Sequence, residues 1–180
     1  MDVIYRKNYV KADLDDLWNT LPWERRDNTP RHECWMNDMS REYTYGSGRG
    51  VRTYVPNAWH PFVLDTLHLL QTEYPGLNVC FINGYLDSKD HLGWHADDSP
   101  EIDQNVPIAV ISFGASREIW FKPIEAPGSA GHESVLLEHG SLLLMPAGFQ
   151  NTYHHRIPKA DRVVGKRISL TYRGLVKKEV

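Results

Sequence analysis

Two stretches early in the chain carry apolar residues at helical spacing. Leu14, Leu17, Trp18 and Leu21 recur every three or four positions, and Asp13 just ahead of them can cap a helix start. A second helix is predicted from Pro61, because proline suits a first helical turn. It places Val63, Leu67, Leu70 and Tyr74 on one face, and Pro75-Gly76 ends it. From Leu77 onward the pattern becomes strand-like. Strands are expected at 78–82, 108–113, 118–121, 135–138, 141–145, 152–155 and 166–173, separated by Gly, Pro and Asp clusters. His139-Gly140, between two of them, reads as a hairpin turn. Short strands following two helices predict a mainly β fold, an antiparallel sandwich or jelly roll, and argue against a parallel α/β sheet.

The stretch from Glu24 to Arg52 follows neither pattern. It holds six arginines interleaved with Trp35, Tyr43 and Tyr45, and is expected to be a polar surface segment. Composition bounds the rest. With 180 residues, 41% of them hydrophobic, one domain is expected, with its N-terminal part over 1–76 and a β core over 77–180. Two cysteines, Cys34 and Cys80, are too few for a disulfide scaffold and point to a reducing, cytoplasmic compartment. Neither a secretory leader nor an apolar run of ~18 residues is visible, so a soluble monomer without a membrane partner is expected.

A net charge of −3 argues against coating nucleic acid by bulk attraction, but the charge is unevenly spread. Residues 85–105 carry six carboxylates against Lys89, while residues 151–180 carry eight basic side chains against Asp161 and Glu179. That asymmetry suggests a cation site beside an anion site.

The cation site has a candidate in His95-x-Asp97. On extended backbone, residues i and i+2 point to the same side, so an imidazole nitrogen and a carboxylate oxygen can meet at one point. A third ligand would complete a two-histidine, one-carboxylate triad, and His132, His139, His154 and His155 all qualify by order. The anion site has a candidate in the strand Arg167 to Arg173. Arg167, Ser169, Thr171 and Arg173 share one face, and Ile168, Leu170 and Tyr172 share the other. A planar guanidinium can grip a carboxylate through two hydrogen bonds. Yet six residues at ~3.3 Å per residue separate the two Cα atoms by roughly 20 Å, so to hold one small diacid both side chains must reach inward, or else one serves another purpose. Asn83 and Tyr85, also at i and i+2, offer an amide and a phenol just before the histidine segment. Trp94 reads as a core residue.

Taken in order, these pieces resemble the AlkB family of Fe(II)- and 2-oxoglutarate-dependent dioxygenases. Asn83-x-Tyr85, His95-x-Asp97, a distal histidine and Arg167-x-Ser169-x-Thr171-x-Arg173 follow the family pattern, as do Asp90-His91-x-Gly93-x-His95, Ser112-Phe113-Gly114-Ala115-x-Arg117 and His139-Gly140-Ser141-Leu142. The likeness covers roughly residues 78–174, and position 169 departs from it, with serine where the family has asparagine. The resemblance implies a double-stranded β-helix with Fe(II) held by His95, Asp97 and His155. It further implies that 2-oxoglutarate is held by Asn83, Tyr85, Arg167, Ser169, Thr171 and Arg173. Asp98 and Tyr45 correspond to positions that face the substrate base, and His91 to a position that is not a ligand. The implied activity is O2-dependent oxidative demethylation of N-alkylated bases in DNA or RNA, with Arg49 and Arg52 of the N-terminal segment expected to hold phosphates. The same chemistry would also serve hydroxylation of a C-methyl pyrimidine, a protein side chain or a small molecule. A jelly-roll binding module with a structural metal is the reading without catalysis.

Overall fold

Both predicted helices form for the reasons their sequences give. The computed structural model describes residues 1–129 and 131–177, so the last three residues of the expected 1–180 domain lie outside the described residues. In chain order the elements are β1 (Ile4–Arg6), α1 (Leu14–Thr20), β2 (His32–Met36), β3 (Tyr43–Tyr45), β4 (Arg52–Tyr54), α2 (Pro61–Gln71), β5 (Val79–Tyr85), β6 (Leu92–His95), β7 (Ile108–Gly114), β8 (Arg117–Pro123), β9 (Glu133–Leu137), β10 (Ser141–Met145), β11 (Tyr153–Ile157) and β12 (Arg167–Arg173). The Asp13 carboxylate accepts from the Asp16 amide at 2.9 Å and caps α1. His60 caps α2, its ring nitrogen accepting from Phe62 N, and Pro61 follows in the first turn. No helix among the described residues is long and apolar enough to cross a membrane.

Ten strands build two antiparallel sheets. The larger runs β1-β10-β7-β12-β5-β2 and the smaller β6-β11-β8-β9, with β3 and β4 forming a separate two-stranded ribbon. The fold is the jelly roll expected. Two strands ahead of residue 77, β1 and β2, extend the larger sheet at its edges.

Two expectations need correcting. His139-Gly140 is not a hairpin turn, because β9 pairs with β8 while β10 pairs with β7 and β1. It is a corner that carries the chain from one sheet to the other. Gly140 takes φ +78°, and a Cβ there would sit 2.6 Å from the Val10 carbonyl, so the corner requires glycine. The stretch 24–52 is not simply polar surface: Cys34, Trp35 and Met36 on β2 are fully buried. Polar residues disguised that strand, since Glu33 on it and Arg31 just ahead of it are buried too. In the larger sheet β12 lies at the centre, between β7 and β5.

The period-two pattern of β12 divides the interior. Ile168, Leu170 and Tyr172 face the helices and pack with Leu17, Val63, Leu67 and Leu70. Burying each such large aliphatic side chain contributes about 1.5–3 kcal/mol. The Tyr172 hydroxyl donates to the Val63 carbonyl at 2.8 Å, fastening α2 to the sheet. The opposite face of the sheet meets β8, β9 and β11 through Val110, Ile119, Phe121, Leu137 and Ile157. That space between the sheets holds the site.

Candidate active site

A cavity of about 530 Å³ opens between the two sheets. Its walls include the polar face of β12, Asn83 and Tyr85 of β5, and the segment from Leu92 to Ser99. The register explains the convergence: Ser169 lies opposite Asn83 on one neighbour and Ser112 on the other, and Arg167 opposite Tyr85. Side chains on one face of three adjacent strands are thus brought to one surface.

At one end stand His95, Asp97 and His155, whose donor atoms all lie within 4.8 Å of one another. His155 on β11 is paired directly with His95 on β6, and the register shifts immediately beyond them. Alternation along β11 therefore directs His155 inward, and His154, half-buried, is not among the lining residues. His95 Nδ1 lies 2.8 Å from the Gly93 carbonyl. A carbonyl only accepts, so Nδ1 donates to it, and Nε2 is turned toward Asp97, 3.4 Å from one of its oxygens. Asp97 is two residues beyond β6 and is pinned by its backbone. Its N–H donates to Gln150 at 2.9 Å, and its carbonyl accepts from Gln104 at 2.9 Å.

Arg173 lies beside this end, donating from Nη2 at 3.0 Å and from Nε at 3.3 Å to the two oxygens of Asp97. Burial alone would raise the Asp97 pKa, but the Arg173 guanidinium and the two imidazoles hold it well below the usual carboxylate range. Burial, with help from His95, pushes His155 down to about 3, so both imidazole and carboxylate are in ligand form.

The far end is different. Arg167 is fully buried, its guanidinium over the Tyr85 ring at 5.1 Å. Nη2 donates to Ser112 Oγ at 2.9 Å, while Nε and Nη1 have no hydrogen-bond partner among the described residues. Burial without a facing carboxylate lowers this pKa to about 10. A buried cation left so is costly unless an anion joins it.

At the mouth, the ribbon β3–β4 supplies an aromatic wall. Tyr45 stacks on Tyr54 with centroids 6.1 Å apart and on Tyr43 at 5.8 Å. Asp98 is exposed beside the mouth, and Arg52 lies over Tyr45 at 5.7 Å while donating to the Asn28 carbonyl. Arg49 sits exposed in the turn Gly48–Gly50 and is not among the cavity-lining residues. His91 is also outside, its ring nitrogen 3.1 Å from the Lys89 carbonyl. Trp94, read as core, is a half-buried wall residue whose indole donates to Ser129 Oγ at 3.3 Å.

Two lining residues escaped the sequence reading, Arg31 and Glu33. They form a buried ion pair at 3.1 Å, with side chains 6% and 0% exposed. The only sequence signal was their i, i+2 spacing ahead of an apolar run, which an unrecognised strand hides.

The sequence model of the 2OG-Fe(II) oxygenase superfamily matches residues 18–173. The chain belongs to that superfamily. Within it the chain is an AlkB-type Fe(II)/2-oxoglutarate-dependent dioxygenase, as its relatives indicate. It is 28% identical to human "DNA oxidative demethylase ALKBH2", over 98% of this chain and 74% of that one. It is 32% identical to human "Alpha-ketoglutarate-dependent dioxygenase alkB homolog 3", over 89% of this chain but 59% of that one. The mouse ALKBH2 match, also 32% identical, spans 63% of its length, so the chain covers about three fifths of some curated relatives it matches. Among solved structures, that titled "The structure of OsALKBH1" superposes with a TM-score of 0.63 over 96% of both chains at 15% identity, a likeness of fold.

The residues present fit the groups an oxygenase of this superfamily uses. Two imidazoles and one carboxylate are the donor set that suits Fe(II) while leaving positions open. The partnerless nitrogens of Arg167 suit one carboxylate of a dicarboxylic co-substrate. Arg173, committed to Asp97, answers the 20 Å difficulty: the two arginines serve opposite ends of the cavity.

Proposed function

We propose that this chain oxidatively demethylates N-alkylated bases in DNA or RNA. In this reading His95, Asp97 and His155 hold Fe(II), and Arg167 with Tyr85, Ser169 and Thr171 receives the far carboxylate of 2-oxoglutarate. Asn83 meets the co-substrate from the neighbouring strand. Fe(II) bound with 2-oxoglutarate and O2 supplies C–H hydroxylation, with 2-oxoglutarate leaving as succinate and CO2. A hydroxymethyl group on a base nitrogen then falls apart to formaldehyde and the repaired base.

The chain's own contribution is positional. Arg173 keeps Asp97 ionised and turned inward. Arg167 orients the co-substrate along the cavity, and the two sheets exclude bulk water from the space between. The base enters past Tyr45, with Asp98 and Arg52 flanking it. It must arrive single-stranded or flipped, at a cost of a few kcal/mol, and stacking on an aromatic face returns about 1–3 kcal/mol. In this reading the chain works as a monomer.

The observation that carries the proposal is a cavity with three metal-donor side chains at one end, a buried arginine with two nitrogens lacking a partner among the described residues at the other, and an aromatic wall at its mouth. The curated relatives' names add the nucleic-acid substrate. The test is a panel of oligonucleotides bearing N1-methyladenine, N3-methylcytosine or C5-methylcytosine, incubated with Fe(II), 2-oxoglutarate and O2. Formaldehyde and a mass loss of one methylene from the N-methyl substrates are expected. A stable hydroxylated product from the C-methyl substrate alone, or no nucleic-acid product, would contradict the proposal.

A further inference from the structure

The buried pair Arg31–Glu33 is saturated with partners, and those partners belong to two different parts of the site. Arg31 Nε donates to Asn83 Oδ1 at 3.1 Å, and Nη1 to the His91 carbonyl at 3.1 Å. Nη2 reaches both Glu33 Oε2 at 3.1 Å and the Tyr45 hydroxyl at 3.2 Å. Glu33 in turn accepts from the Tyr45 hydroxyl, and from the Tyr54 hydroxyl at 2.5 Å. Four of the five guanidinium N–H groups and both carboxylate oxygens of the pair are thus engaged within the protein.

Two orientations follow. A guanidinium only donates, so the Asn83 atom facing it must be the oxygen. That fixes the amide and leaves its NH2 to donate elsewhere, on a residue that lines the co-substrate cavity. At the other side, Glu33 holds both tyrosine hydroxyls. Burial, with Glu33 adding to it, pushes Tyr45 up to about 12, so it stays a neutral donor. Its ring is thereby fixed nearly parallel to Tyr54, at an interplanar angle of 6°.

We propose that Arg31 and Glu33 are positioning residues that couple 2-oxoglutarate binding at Asn83 to the aromatic substrate wall at Tyr45. The inference rests on the reading of those two residues given under the proposed function. Anchoring of the Asn83 amide by the co-substrate holds Arg31 in place, and through it Glu33 and Tyr45. The wall is then preorganised before the base arrives. Thermodynamic reciprocity requires the base to tighten 2-oxoglutarate by the same factor.

The test uses protein loaded with Mn(II), so that nothing turns over. Dissociation constants are measured for 2-oxoglutarate and for an oligonucleotide carrying N3-methylcytosine, each with and without the other. Wild type is expected to show one mutual factor of about fivefold or more. The variant is the double replacement Arg31→Met with Glu33→Met. Removing one partner would strand a buried charge, whereas replacing both by apolar residues is often neutral for stability. The double variant is expected to stay folded with a lowered melting temperature, because the Tyr54 hydroxyl and Asn83 Oδ1 lose their partners, while the factor falls to one. A factor of one in wild type, or a factor retained in the double variant, overturns the inference even if demethylation proceeds. If wild type neither binds nor demethylates any methylated oligonucleotide, the proposed function fails. The inference is then decided on 2-oxoglutarate alone, whose affinity the double variant must weaken about tenfold; unchanged affinity overturns it.

Discussion

Arg167 and Arg173 sit six residues apart on the same face of the same strand, both buried, and their surroundings are opposite. Arg173 has a carboxylate against it, two contacts to Asp97 at 3.0 and 3.3 Å. Arg167 has a serine, a tyrosine ring and two nitrogens with no partner among the described residues. Sequence pattern alone treats them as equivalent. Arg173 also keeps one nitrogen, Nη1, without a partner among the described residues, so what separates the two is the carboxylate that faces one and not the other. An uncompensated buried guanidinium is costly, and an anion at Arg167 would offset that cost, which is the reason to assign the co-substrate's far carboxylate to that end.

The comparison can be broken from the metal end first. Asp97→Ala removes both a metal ligand and the partner of Arg173, and turnover should fall below detection in a formaldehyde assay. A measurable rate would mean the ion is held elsewhere. Arg173→Met strands the buried Asp97 carboxylate, and a loss of about 3–5 kcal/mol is expected in denaturant unfolding of the metal-free protein. Mn(II) should restore part of that loss by supplying the missing positive charge. No loss would show that the pair carries little.

Arg167→Met should behave in the reverse way. Stability is expected to stay level or rise, because an unpaired buried charge is removed. The KM for 2-oxoglutarate should increase by about ten- to a hundredfold, the worth of a charge-assisted hydrogen bond of about 1.5–3 kcal/mol. Equal destabilisation by the two arginine variants would erase the distinction drawn here. The smallest effects belong to the mouth. Arg52→Ala should weaken oligonucleotide binding a few-fold and flatten its salt dependence slightly, since one phosphate contact is lost. Arg49→Ala should change neither, given its position outside the cavity.

The legibility of the sequence follows the same divide between regions. From β5 to β12 the strands are short apolar runs or, in β12, a strict alternation, and most end at Gly or Pro. All but β6 could therefore be located, and the His-x-Asp pair and the β12 row read directly. The family likeness separated His155 from His154, and the direct pairing of His155 with His95 gives the geometric reason. Between residues 24 and 54 the strands are three to five residues long, and β2 buries charge alongside apolar side chains. Tertiary pairing with β5 decides that β2 is a strand at all, and no local pattern announces it. Arg31 and Glu33 were hidden for that reason. The Gly140 corner misled in another way, since a turn signal reports that the chain reverses but not which sheet it enters next.

The account stands on a metal triad and a carboxylate-binding arginine sharing one cavity. The most direct measurement is anaerobic titration of Fe(II)-loaded protein with 2-oxoglutarate, followed by the visible metal-to-ligand charge-transfer absorption. Wild type should develop the band with saturation, Arg167→Met should develop the same band only at much higher 2-oxoglutarate, and Asp97→Ala should show none. A band that persists in Asp97→Ala, or saturates identically in Arg167→Met, would contradict it.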